Sequence, residues 1–477
     1  MFIAITVLAR RLSLGELGTY GLLVSFATYL IFVQASIETA AVKAIAEAPD
    51  QERRDEAFST AISLYLFAGV AVGAVIAAVG VAALGLFEIP MRLHHDAEIG
   101  VVALGAVTAL GWPMKTFLDL LRGSQRFVAA AVAEGGGIVA DGALLVILAL
   151  VGAPLWALVA VGGAIPLFVG VAAAVVVVVR RVSFRFSRRA VSRSSVGGFL
   201  GISGYLFLGG VADLVIYSVD RAILAAFRTA AVVGLYEGPI RTHTLLQQVH
   251  TSLVTPVVAA SAQFAAERDL ERTRDLLLRG MRYTLAAVVP FALVVMILAE
   301  PILDVWLGER FTAASTAMTV LASYWLLYGS TGVPVRMLIT AGRVRALTIY
   351  AVAVAVANVS ISLALTPTLG LNGVVLGTTI AFVLAFPFFV WLVVSTFPVR
   401  RAEIALEVWL PAYVTGVPVA AGLLAARLSL SLNTVTEVLM TAVLALLAYW
   451  GIYYATWLRR SEKALVISIA RSAVRRR

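Results

Sequence analysis

The residues that could do chemistry in this chain stand where polar groups are least welcome. The stretch VVGLYEGPIRTHTLLQQVH, residues 232–250, lies between two long apolar segments and carries Glu237, Arg241, His243, Gln247, Gln248 and His250. At about 100° per residue, Glu237, Arg241, Thr244 and Gln248 share one stripe of a helix, and His243, Gln247 and His250 share a second. Leu245, Leu246, Val249 and Leu253 form the apolar remainder, so the expectation is a helix wet on one side and packed on the other. Glu237 and Arg241 stand at i and i+4 and can pair, which leaves a purely neutralising role open. Lys43, Lys115, Arg221 and Arg336 are also embedded in apolar segments. Such cations suit phosphate through charge-assisted hydrogen bonds; near helix ends they can instead reach the interface on their long stems. Asp220 precedes Arg221, and Asp119 follows Lys115 on the same helical face. With Glu237 and Asp213 they are candidates for a counter-ion, a latch or the carrier of a proton or other coupling ion. Glu38, Glu134 and Asp141 keep a cation-coupled step open as well.

The elements that position these groups follow from composition. The chain has 477 residues, 61% of them hydrophobic, with a mean hydropathy of +0.97. Apolar runs of about 20 residues recur from end to end, the length that crosses a ~30 Å hydrocarbon core. The runs are continuous rather than alternating, so the fold class is an all-α polytopic membrane protein. Predicted helices cover 1–9 (a remnant, leaving the first helix short), 17–45, 57–87, 98–121, 127–150, 155–179, 198–226, 230–260, 282–307, 313–340, 346–365, 371–397, 405–425 and 434–457, about fourteen transmembrane segments. No cysteine is present, which excludes disulfides and thiolate metal sites.

Net charge is +10, and its distribution alternates. One set of connections holds Arg53 and Arg54, Arg122 and Arg126, the run from Arg180 to Arg193, the run from Arg268 to Arg282, Arg343 and Arg345, Arg400 and Arg401, and the tail from Arg459. The other holds only Arg10, Arg11, Arg92, Arg228, Arg310 and Arg427. The positive-inside rule makes the first set cytoplasmic, with the C-terminus inside a plasma (inner) membrane. The basic runs then read as topology signals that also touch anionic membrane lipids, and no nucleic acid is needed to explain them.

Three stretches repeat in order with a shift close to 217 residues: LARRLSLGELGTYG (8–21) with LAAFRTAAVVGLYE (224–237), LLRGSQRFVAA (120–130) with LITAGRVRALT (338–348), and LVGAPLWALVAVGGAI (150–165) with LTPTLGLNGVVLGTTI (365–380). Tyr20 aligns with Tyr236. Each half holds six helices, an even number, so the repeat is parallel, about an axis normal to the membrane, and the pathway is expected between two lobes. The domains are a six-helix lobe at 1–179, a basic linker at 180–197, a second six-helix lobe at 198–397, two additional helices at 398–458 and a basic tail at 459–477. Pro239, Pro256, Pro290 and Pro334 fall inside predicted helices and mark bends.

At ARRLSLGELGTYG, SVDRAILAAFRTAAVVGLYEG, LGERF, TAGRVRA and TLGLNGVVLGT the chain resembles the multidrug/oligosaccharidyl-lipid/polysaccharide exporter superfamily, most strongly the polysaccharide (O-antigen-type) flippases, from Met1 to about Phe397. The resemblance implies two lobes in a V around a central cavity and transfer of a polyprenyl-pyrophosphate-linked oligosaccharide between leaflets. Its implied substrate is an anionic lipid-linked oligosaccharide, and its implied partners are a polysaccharide polymerase and glycosyltransferases. On that reading Lys43, Lys115 and Arg336 form a cationic mouth for the pyrophosphate. Arg221 and Arg241 hold it deeper, with His243, Gln247 and Gln248 in the lining.

No lysine follows a glycine and no HExxH occurs, so neither a P-loop nor that zinc site supports an enzyme, and no cofactor is expected. Three other readings remain: a lipid II flippase, a cation-coupled multidrug exporter of the same superfamily, and a non-transporting membrane scaffold. The exporter would want a carboxylate-dominated cavity, and the scaffold would not need charges inside helices of both halves. The topology has a direct test. With no native cysteine, single cysteines replacing His94 and Thr368 should react with an impermeant thiol reagent in intact cells, and those replacing Ser194 and Arg401 should not. Labelling at 194 overturns the charge-based orientation.

Overall fold

The computed structural model describes residues 2–28, 31–162, 168, 170, 171, 175, 219–255, 257, 269–460, 462 and 463. The expected basic linker at 180–197, most of the predicted helix 198–226 with Asp213, Pro256 and the tail beyond 463 lie outside them. Among the described residues all regular structure is helical. Eight helical stretches are long and apolar enough to cross a membrane: Gln51–Leu86, Met91–Gly123, Phe127–Leu150, Leu270–Ile297, Val344–Leu369, Leu371–Thr396, Arg401–Ser429 and Val435–Thr456. The protein is a multi-pass α-helical membrane protein.

Several predicted boundaries move for local reasons. Gln51–Ala83 starts before the expected residue 57 because Asp50 caps it, its side chain accepting from Arg53 N at 2.8 Å. Leu270–Ile297 starts well before 282, capped by Asp269 through Arg272 N at 2.9 Å. Its charged first turns are amphipathic and bury Leu277, Leu278 and Met281, a pattern that hydropathy averaging hides. The expected helix 98–121 is interrupted by a 3₁₀ turn, Pro113–Lys115, where proline cannot continue the ladder. The expected helix 313–340 divides into Ser315–Tyr328 and Gly332–Thr340. Pro334 therefore stands in a first turn, where its missing N–H is not needed, rather than mid-helix. Pro239 and Pro290 do lie inside helices.

The chain forms two packing units. The first comprises Met1–Glu237 with Ala351–Thr378. Small residues set its helix crossings. A Cβ on Gly73 would overlap the carbonyl oxygen of Gly105, and one on Gly105 would overlap that of Gly73. This is the close backbone approach that small residues permit in membranes. A second crossing joins Leu14–Thr28 to Ala230–Val254. A Cβ on Gly18 would overlap the carbonyl oxygen of Ala230 and lie 2.7 Å from Gly234 N. A Cβ on Gly234 would overlap the carbonyl oxygen of Leu14 and lie 3.2 Å from Gly18 N. Each contact of one glycine is answered by the equivalent contact of the other.

The second unit comprises Gly238–Tyr350 with Thr379–Arg477. Leu270–Ile297 is its axis, with Leu285, Val288, Val289 and Ala292 buried in one continuous core beside Trp325, Phe389 and Val408. Tyr413 closes one helix contact by donating to Leu326 O at 2.6 Å. Tyr449 closes another by donating to Ala412 O at 3.1 Å.

The glycine crossing makes a sharp prediction. Gly18→Ala must push two backbones apart, an overpacking that costs about 1–3 kcal/mol, and its melting temperature in detergent should fall. Gly85, with nothing near its added Cβ, is the control: Gly85→Ala should melt like the parent. Equal melting of the two variants would refute the close crossing.

Candidate functional site

The densest buried chemistry of the first unit surrounds the helix 219–227 and the opening turns of Ala230–Val254. Arg221 donates from Nε to Glu237 Oε1 at 2.7 Å and from a terminal nitrogen to Oε2 at 3.3 Å. This forked geometry is the strong form of a charged pair. Glu237 is fully buried, and its carboxylate occupies the space a side chain at residue 21 would need, so Gly21 makes room for it. Sequence spacing lets Glu237 pair with Arg241 along its own helix; the structure also brings it Arg221, which approaches from a neighbouring helix.

Beside this pair lies a knot of oxygen atoms. Tyr236 donates its hydroxyl to Asp220 Oδ2 at 2.7 Å, and Thr378 Oγ1 stands 3.4 Å from the same oxygen. Asn358 Nδ2 donates to Thr378 Oγ1 at 3.3 Å, and Ser362 Oγ donates to Asn358 Oδ1 at 3.1 Å. Ser362 Oγ is also 3.3 Å from Val374 O. Asp220 Oδ1 is buried with no hydrogen-bond partner. A carboxylate, an amide oxygen, hydroxyls and a carbonyl form a set suited to a proton or a small hard cation. Among the described residues no group of three or more His, Cys, Asp or Glu could hold a metal ion. Asn358, Ser362 and Thr378 were not singled out from sequence, although polar residues four apart in an otherwise apolar helix were a readable signal.

A second charged group of this unit is built on Lys115, Arg122, Glu38 and Glu134. Lys115 Nζ is 2.6 Å from Glu38, and Arg122 bridges Glu38 and Glu134, the latter at 2.7 Å. Asp119 is fully buried, accepts from Tyr65 OH at 2.7 Å and leaves Oδ1 without a partner. Lys115 is thus drawn inward to a carboxylate, while Lys43 is exposed; the two do not share one arrangement.

In the second unit the expected wet stripe divides. Arg241, Gln247 and Arg336 are half-buried and Gln248 is exposed. His243 and His250 are each 4% exposed and lie in an aromatic cluster instead of a water-lined face. Trp325 Nε1 donates to His243 Nδ1 at 3.2 Å, and Tyr324 and Tyr328 complete the cluster with ring centroids about 5.5 Å from one histidine or the other. Gly332 leaves space for the His250 ring. Conversely, Leu245, Val249 and Leu253, expected to be packed, are exposed, and Leu246 alone of that set is buried. The physical reason is that YWLLY, residues 324–328, offers the imidazoles aromatic partners that the helix's own sequence does not reveal.

These contacts carry a stability prediction. Arg221→Ala removes a forked charged partner from buried Glu237, and breaking such a buried pair costs about 3–5 kcal/mol. Arg221→Met with Glu237→Leu removes both charges and should recover most of the loss in melting temperature. A single variant that melts like the parent would show that the pair is not what holds these helices.

Comparison with known proteins gives the family and the fold. A family of polysaccharide biosynthesis proteins matches residues 7–316. The fold resembles a solved lipid II flippase, MurJ, in an inward closed conformation, with TM-score 0.71 at 15% identity over 96% of this chain and 97% of that one. It also resembles an inward-facing MATE-family multidrug resistance transporter of the MOP superfamily, with TM-score 0.65 at 16% identity over 83% and 94% of the two chains. A third similar structure is the MATE multidrug transporter DinF-BH, solved in a ligand complex, with TM-score 0.60 at 14% identity over 84% and 92%. No curated protein matches the sequence. The chain belongs to the polysaccharide biosynthesis protein family, and its fold is that of the MATE and MurJ transporters.

Proposed function

We propose that this member of the polysaccharide biosynthesis family is a flippase, a secondary transporter that moves a polyprenyl-pyrophosphate-linked oligosaccharide from the cytoplasmic to the outer leaflet by alternating access. The observation that carries the reading is the joint one: membership of a family named for polysaccharide biosynthesis, and a fold like that of a lipid flippase over 96% of the chain. The parallel repeat and the two six-helix lobes at 1–179 and 198–397 rest on the three stretches that recur in order with a shift close to 217 residues. Fourteen helices in the plasma membrane, with the C-terminus inside, follow from the charge alternation.

Within that scheme Arg241 and Arg336 meet the pyrophosphate, with Gln247 and Gln248 beside them and Lys43 at the mouth. Lys115 and Arg221 are held by Glu38 and Glu237, so an anion reaches them only by exchanging with a carboxylate. Asp220, with one carboxylate oxygen unpartnered, is the group for a coupling proton or cation. The likeness to a lipid II flippase favours a second reading in which the cargo is the peptidoglycan precursor, which carries the same pyrophosphate.

The test is complementation. In a strain lacking its polysaccharide flippase, Arg241→Ala should lose surface glycan ten-fold or more at equal protein level, consistent with ~1.5–3 kcal/mol for a charged hydrogen bond. Arg241→Lys should keep part of the activity. Asp220→Asn should fold and lose transport. Full surface glycan from Arg241→Ala removes that residue from the substrate site, and rescue of a strain lacking its lipid II flippase instead assigns the cargo to peptidoglycan synthesis.

A further inference from the structure

We infer that the second packing unit carries a separate site for a phosphate-bearing anion at the end that the charge pattern assigns to the cytoplasm, supplied by a phospholipid head group or by free phosphate. A cavity of about 230 Å³ opens there, room for a phosphate group with several waters at ~30 Å³ each. Four arginines line it: Arg274, Arg279 and Arg282 from Leu270–Ile297, and Arg459 just past Val435–Thr456. The acidic groups of the wall are Asp275 and Glu407, and Glu403 and Glu462, outside the lining, hold Arg274 and Arg282.

The neutralising contacts are uneven. Arg279 is 2.7 Å from Asp275, and Arg274 is 3.0 Å from Glu403. Glu407 is shared at long range, 3.6 Å from Arg274 and 3.8 Å from Arg459. Arg282 is 7% exposed and donates to Glu462 and to Tyr283 OH, yet its Nε is buried with no acceptor. A buried guanidinium N–H without an acceptor is costly. Glu407 sits on a π-helical turn, Ile404–Trp409, and Glu403, four residues earlier, reaches the same arginine. Such turns recur at binding sites. Planar guanidinium forks match phosphate oxygens. A basic pocket between helices at the cytoplasmic boundary lies at head-group depth. None of these residues belongs to the proposed cargo path, so the inference does not rest on the flippase reading.

Native mass spectrometry of the detergent-purified full chain tests it, with phosphatidylglycerol, phosphatidylcholine and inorganic phosphate as probes. Phosphatidylglycerol should occupy the protein at least ten-fold more readily than phosphatidylcholine. Arg279→Gln with Arg459→Gln, both at partly exposed positions, should melt like the parent and lose that preference. Glu407→Gln removes a competing carboxylate and should raise occupancy. Displacement of the lipid by millimolar phosphate would assign the site to the phosphate group alone, and retention would assign it to the lipid head group; either supports the site. Equal occupancy by both lipids with no response to phosphate, or occupancy indifferent to all these substitutions, overturns it.

Discussion

The crossing of Leu14–Thr28 with Ala230–Val254 is the constraint on which the described site of the first unit depends. At Gly18 and Gly234 no side chain separates the backbones, and each glycine meets the other's carbonyl neighbour, Ala230 or Leu14. Lipid gives helices no hydrophobic reason to associate, so close backbone contact has to supply the attraction. One turn further along, Gly21 again lacks a side chain, and the vacant volume is filled by the Glu237 carboxylate. The same approach that binds the helices thus decides that a buried acid can sit between them, and the acid in turn fixes Arg221 through two hydrogen bonds.

Among the described residues, several embedded cations are held by carboxylates of the protein. Lys115 lies on Glu38, Arg122 on Glu38 and Glu134, and Arg221 on Glu237. Opening such a pair without replacing a partner costs about 3–5 kcal/mol. Exchange of one partner for another is cheaper than release, because it keeps the cation compensated throughout. Asp220 differs in kind, since its partners are hydroxyls and its second oxygen has none.

The parts of this arrangement legible in the sequence were those written in local pattern. Apolar run length gave the helical membrane class, and the offset between LARRLSLGELGTYG and LAAFRTAAVVGLYE aligned the two glycines that meet. The caps Asp50 and Asp269 were missed, because hydropathy windows average away the charged first turns that they open. What local pattern could not carry was partner choice. Glu237 has Arg241 one turn away on its own helix, and only the tertiary approach brings it Arg221, sixteen residues back. His243 and His250 read as water-facing because their own helix offers them nothing, yet Trp325 and Tyr328 from another helix enclose them.

Ala230–Val254 also shows where the chain can yield. The two packing units meet in sequence at Glu237 and Gly238, inside this helix, and again at Tyr350 and Thr378 inside two others. Only the first of these boundaries carries a Gly-Pro pair, Gly238 and Pro239. Pro239 cannot donate to Leu235 O, and glycine adds backbone freedom, so the hydrogen-bond ladder is weakest at the boundary itself. Glu237 lies on one side of that weak point, locked to Arg221, and Arg241 lies one turn beyond it. A bend at Gly238–Pro239 therefore changes the direction of Arg241 relative to Glu237 without breaking the Arg221 pair. Bending of this helix costs less at Gly238–Pro239 than elsewhere along its length.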